Sequence, residues 1–231
     1  MSGALPDPGG KLDAERQLAL HYVPASRRRA LGTLWNLDAT LGTLLAGGSQ
    51  PLVTQIKLAW WRDALEALDH GPPPAEPLLQ AVARDLLANG VSGAALAAMT
   101  EGWEILLTAE AVRTEELDAY ARARGGRLFA CSAALLGHAD DQEAGRAGEA
   151  WALADFARRS SAAEESERAL GAARLRAERL FERRWPARLR PLGMLGALAT
   201  RDAVRGRRSP LERHGAPARL LRMLRHRLTG K

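Results

Sequence analysis

Residues 27–45 read RRRALGTLWNLDATLGTLL. Ala30, Leu31, Leu34, Leu37, Leu41, Leu44 and Leu45 recur at helical spacing and form one broad apolar stripe. The break at Pro24 precedes them, Ser26 stands where an N-cap is preferred, and Gly47-Gly48 is expected to end the helix. The next stretch, Leu52 to Asp69, opens behind Pro51, a residue tolerated at a helix start. Leu52, Ile56, Ala59, Trp60, Asp63 and Ala67 share one face, with Leu58, Trp61, Leu65 and Leu68 on the adjacent one. So much apolar surface predicts burial on more than one side.

Composition extends this reading to the whole chain. Ala and Leu supply 45 and 38 of the 231 residues, while Ile and Val together supply only 8. Strands favour β-branched residues, and Ala and Leu are strong helix formers. A β-rich fold is therefore excluded, and a doubly wound sheet is disfavoured. The expectation is one all-α domain over residues 12–231, a bundle of about eight to ten helices, behind a flexible tail over residues 1–11.

Further helices are expected over residues 78–89, from Ser92 past Trp103, and from Thr114 to near Gly137. Within the last of these, Gly125-Gly126 allows a kink or a very close helix contact. Residues 138–148 read as a polar loop. Helices should follow at Glu149–Arg159 (amphipathic), Glu164–Trp185, Leu192–Val204 and Ala218–Leu228.

Charge is uneven along the chain. Residues 1–173 hold 16 basic and 23 acidic side chains, whereas residues 174–231 hold 17 basic and 4 acidic. A basic C-terminal third can meet an anionic membrane surface, a partner protein or the acidic remainder of the same chain. On the last helix Leu220, Leu221, Leu224 and Leu228 are expected to pack inward. Arg219, Arg222 and Arg225 are then left as candidate membrane or partner contacts. Nucleic acid is not an expected partner, because no recognition motif or aromatic platform accompanies the basic segment.

Catalytic signatures are sparse. No two of the five histidines share i, i+4 spacing, and no P-loop, GxGxxG or GxSxG element is present. His138, Asp140 and Asp141 form the densest metal-like cluster, in an apparent loop. The single cysteine, Cys131, sits in an apolar run and reads as a structural thiol. The first twenty residues lack a signal-peptide core, and no apolar run reaches the ~20 residues of a membrane span. A cytoplasmic protein, at most peripheral to a membrane, is expected.

The stretch RALGTLWNLD at Arg29–Asp38, followed by QIKLAWWRDAL at Gln55–Leu65, resembles the squalene/phytoene synthase family. Order, spacing and the Trp60-Trp61-Arg62 triplet carry the resemblance. Tyr120–Gly137, with its glycine pair, is similar to the family's central helix, and GEAWALADFAR at Gly148–Arg158 is similar to its "GxALQLTNILR" helix. The resemblance implies an isoprenoid-synthase-like helical bundle. It also implies ligand-pocket candidates at Trp60, Trp61, Arg62, Asp155 and Arg158, with Arg62 expected to pair with a carboxylate such as Glu66.

The departures concern function. In register, the family's first Asp-rich motif falls on Gly42–Ala46, which holds no carboxylate. The Asp that opens its second motif falls on Arg159, followed by Ser160, Ser161, Ala162 and Ala163. This pattern is similar to a divergent family branch, with bacterial members, that includes a mitochondrial respiratory complex I assembly factor. It implies a catalytically degenerate protein with a binding, assembly or scaffold role near the inner membrane. No catalytic residue, metal ligand or cofactor is then expected, and the partner would be a protein or an apolar, isoprenoid-like ligand. Two alternatives stand beside it. One is an active Mg²⁺-dependent transferase of farnesyl or geranylgeranyl diphosphate in isoprenoid or carotenoid biosynthesis. The other is a peripheral membrane protein acting through its basic C-terminal helix.

Overall fold

The computed structural model describes residues 12–46, 50–206 and 211–231. The tail at residues 1–11 and the Gly47-Gly48 stop lie outside the described residues. The described residues form twelve α-helical segments and no strand. α1 is Ala14–His21, α2 Ala25–Ala46, α3 Pro51–Ala67, α4 Pro77–Asp85, α5 Gly93–Ala97 and α6 Thr100–Thr108. α7 is Thr114–Tyr120, α8 Arg127–Leu135, α9 Gln142–Arg159, α10 Ala163–Ala177, α11 Arg190–Arg205 and α12 Pro217–Thr229. A π-helical turn, Ala121–Gly126, joins α7 to α8 in one rod, and two residues separate α5 from α6. Taken as continuous rods the segments match the expected bundle.

Helix ends follow side-chain chemistry. Asp13 accepts from the backbone N–H groups of Glu15 and Arg16 at 3.0 and 2.9 Å and caps α1. Ser92 accepts from Ala95 N–H at 3.2 Å, as its position predicts. Ser26 does not cap α2, which starts one residue earlier at Ala25. Asp141 accepts from Ala144 N–H at 2.8 Å, so α9 begins inside the segment expected to be loop. The helix expected over Glu164–Trp185 stops at Ala177, and Trp185 folds back, its indole N–H donating to the Leu180 carbonyl at 2.8 Å.

α9 is the centre of the bundle. It packs against α8 and the π turn, α10 and α11, and over residues 150–155 it is buried on all sides. Its small residues permit this. A Cβ on Gly125 of the π turn would stand 2.1 Å from the Gly148 carbonyl oxygen, so the two backbones touch. Around this centre, α2 packs on α4 and α8, α3 on α5 and α6, and α1 and α12 on α11.

The last helix is turned partly away from its apolar periodicity, with Leu220 packed against the core as expected but not Leu221 or Leu228. Arg219, Met223 and His226 form its buried face, while Leu221 and Leu228 are exposed. Arg219 is thus an interior residue and no surface contact. Its guanidinium is taken up by Glu15 and Asp202, whose ion pairs outweigh the apolar gain of turning a leucine stripe inward.

Candidate functional site

Two facing helices carry buried acids into the middle of the bundle, Asp38 from α2 and Asp155 from α9. Between them lies Arg124 of the π turn, also buried. Its Nε and Nη2 donate to the two oxygens of Asp38 at 2.8 and 3.0 Å. Its Nη1 donates to Asp155 at 2.7 Å and also meets the Tyr120 hydroxyl. The guanidinium plane is stacked between indoles, 4.2 Å from the Trp103 ring centre and 4.7 Å from that of Trp151. Arg16 of α1 adds a second guanidinium to Asp38 at 3.2 Å, and Arg159 adds one to Asp155 at 3.1 Å.

These charges tune one another. Burial opposes ionisation of Asp155, but Arg124, Arg159 and Arg16 outweigh it and hold its carboxyl well below the usual carboxylate range. Burial likewise opposes the charge on Arg124, and Asp38, Tyr120 and Asp155 keep it firmly protonated. Burial pushes the Tyr120 hydroxyl up to about 12. Every formal charge at this centre faces an opposite one.

A second network adjoins the first. Arg219 donates to Glu15 at 2.5 and 2.9 Å and to Asp202 at 2.5 Å. Arg158 donates from Nε to Asp202 at 3.0 Å and from Nη1 to the Glu212 carbonyl at 2.7 Å. Burial again opposes the charge on Glu15, and hydrogen bonds from Arg219 and His214 outweigh it, so its carboxyl sits well below the usual range.

The predicted site residues divide. Asp155 is central. Arg158 and Asp155 were both expected at a ligand pocket. Their ion pairs point apart, Arg158 to Asp202 and Asp155 to Arg124 and Arg159, while both line a narrow crevice of about 20 Å³. Trp61 is core, but Trp60, expected beside it, is 47% exposed on the outer face of α3 and touches Trp61 edge-on at 5.4 Å. Arg62 pairs with Glu104 of α6 at 3.0 Å and approaches Asp63 at 3.5 Å, not Glu66, because α6 presents a carboxylate across the helix interface. The partners that make the centre, Arg124, Asp38 and Arg16, escaped the sequence reading. Asp38 was legible only as a lone acid inside the stripe of residues 27–45.

Two larger spaces also border the networks. A small cavity of about 120 Å³ is lined by Gly42, Thr43 and Ala46 of α2 together with Asp38, Arg124 and Arg159. A wider cleft of about 720 Å³ opens over Arg16, Arg158, Arg159, Arg213 and His214. For metal binding, ligand atoms of Asp13, Glu15 and His214 lie within 4.8 Å of one another. Asp13 is already held by Arg16 at 2.7 Å, and Glu15 by Arg219. His138, Asp140 and Asp141 serve the turn into α9, with Asp140 at φ 60° and Asp141 as cap. Burial pushes the Cys131 thiol up to about 11, which keeps it protonated and inert.

Comparison with known proteins fits this architecture. Neither a curated protein nor a solved structure matches the chain. The model of the family described as squalene/phytoene synthase matches residues 11–190, from before α1 to the start of α11. That span contains α2, the π turn and α9, the elements that build the ionic centre, and on it this chain belongs to the squalene/phytoene synthase family.

Proposed function

We propose that this chain is a catalytically silent family member that works by binding, as an assembly or scaffold component near a membrane. One observation carries the reading. The positions where the family places its two acidic motifs, Gly42–Ala46 and Arg159, meet at one cavity of about 120 Å³, whose one carboxylate, Asp38, is already held by Arg124 and Arg16. Departure of a diphosphate needs Mg²⁺, and each ion needs carboxylates free to bind it. Here the two acids at the centre, Asp38 and Asp155, are held by Arg124, Arg16 and Arg159. A guanidinium between them repels a divalent cation, so the residues present do not fit the metal cluster of an active family member.

A second reading, a Mg²⁺-dependent prenyl transferase, is favoured by one feature: carboxylates from two helices do converge, across Arg124. It requires that guanidinium to give way to metal.

The test is an assay of the purified full chain with farnesyl and geranylgeranyl diphosphate, with and without Mg²⁺, beside an active family member. The expected result is no diphosphate release above the protein-free background. Metal-dependent release would overturn the proposal and establish the transferase.

A further inference from the structure

The outer face of α12 combines exposed leucines with cations. Leu221 and Leu228, seven residues apart and so on one line of the helix, are 69% and 74% exposed. Exposed Arg225 lies beside that line, and half-buried Arg222 stands at the margin of the face, about 100° round the helix from Leu221. At the C-terminal end, Arg184 donates to the Thr229 carbonyl at 2.6 Å, and Arg190 to the carbonyls of Arg227 and Leu228 at 3.2 and 3.1 Å. These guanidinia satisfy the last carbonyls of the helix, at the negative end of its dipole.

The cations of this face differ from those of the interior. Inside the bundle Arg16, Arg124, Arg158 and Arg219 all meet carboxylates. Among the described residues no carboxylate forms an ion pair with Arg184, Arg190, Arg222, Arg225 or Arg227. Burial, with Arg225 and Arg201 close by, pulls Arg222 below the ordinary guanidinium range. Burial with Arg184 and Arg227 does the same to Arg190. Cations that repel one another without a counter-charge form a patch whose complement must come from outside the chain.

We propose that the outer face of α12 binds the surface of an anionic lipid bilayer. Leu221 and Leu228 enter the boundary between headgroups and acyl chains, and Arg222 and Arg225 meet lipid phosphates. Charge complementarity selects an anionic partner, and the leucine pair selects a bilayer among anionic partners. A lipid surface offers phosphate and hydrocarbon at adjacent depths, whereas a nucleic-acid backbone offers no apolar layer for leucines. α12 also carries no exposed aromatic ring on which a base could stack. No helix among the described residues is long and apolar enough to cross a membrane, so the contact is one of a helix lying in the interface.

The test is flotation of the full chain with vesicles of phosphatidylglycerol and phosphatidylcholine, against vesicles of phosphatidylcholine alone. The expected result is co-flotation with the anionic vesicles only, released by raised salt. L221S/L228S and R222Q/R225Q are each expected to lower the bound fraction about tenfold or more at unchanged circular dichroism. Three outcomes overturn the proposal: no flotation of the wild-type chain at low salt, equal flotation with neutral vesicles, or full binding by L221S/L228S. Tighter retention on duplex DNA than on anionic vesicles at the same salt would also overturn it, in favour of a nucleic-acid surface. The result is independent of chemistry, since a chain that released diphosphate and still floated would overturn only the catalytically silent reading.

Discussion

Arg124 is the residue on which the interior depends. Removing one partner from a buried ion pair leaves an uncompensated charge, which costs far more than the pair itself contributes. Arg124→Met should therefore lower stability by about 3–5 kcal/mol in urea denaturation. Adding Asp38→Asn and Asp155→Asn should return much of that loss, because the stranded carboxylates go with the guanidinium. A single-variant loss under about 1 kcal/mol would mean that water reaches the centre and screens it. His226 makes a second case. It is buried against Phe181 and Trp185, and burial lowers it from 6.5 to about 4. Between those values the unfolded chain holds a proton that the folded chain does not. Stability should thus fall as pH drops from about 6.5 to about 4, by up to about 3 kcal/mol. Glu15 and Asp155, whose folded ionisation lies below the usual range, lose their contributions only at lower pH. His226→Leu should flatten the slope between pH ~6.5 and ~4.5 in denaturation series, whatever its absolute stability.

At the scale of elements, the contact of the π turn with α9 sets how close the acids can come. Gly125 and Gly148 allow backbone to meet backbone, and a Cβ on Gly148 would stand 2.1 Å from the Gly125 carbonyl oxygen and 2.7 Å from the Phe129 side chain. Gly148→Ala must push the helices apart and should cost at least about 1–3 kcal/mol by thermal denaturation. Gly145 lies in the same helix with nothing within 4 Å of its Cβ position. Gly145→Ala should instead stabilise by about 0.5–1 kcal/mol, the ordinary backbone-entropy gain. The opposite signs within one helix would locate the tight contact. The same tightness explains the small remaining cavity, since packed Ala and Gly helices leave little room for a long substrate.

At the scale of the molecule, the chain closes on itself through charge. Glu15 near one end binds Arg219 near the other, and also accepts from Gly215 N–H at 3.0 Å. This joins α1 to α12 over the C-terminal end of α11, beside Asp202. Glu15→Gln should weaken the clasp by about 1–3 kcal/mol and speed amide exchange in Pro217–Thr229, leaving α3 unchanged. Equal exchange in both variants would show that α12 is held by Met223 and His226 packing alone. The asymmetry of charge along the sequence thus has two uses. Part of the basic C-terminal third neutralises buried acids, and part stands on the outer face of α12.

Fold class was fixed by composition and periodicity, which act locally. Ala and Leu in excess, scarce β-branched residues and Gly or Pro at the breaks dictate helices without reference to any distant residue. The family, too, could be read from the spacing of short motifs such as Trp60-Trp61-Arg62. Which face of a helix is buried was another matter. The wheel turned the leucines of α12 inward and both α3 tryptophans into the core. Tertiary structure turned Arg219 inward and Trp60 outward, because Glu15 and Asp202 wait for one and no partner covers the other. The ionic centre was least legible. Arg124 and Asp38 are 86 residues apart, Arg124 and Asp155 31 apart, and no local pattern marks such pairs. Charges in low dielectric are satisfied by whatever the folded chain brings within reach, and that is decided only when the helices pack.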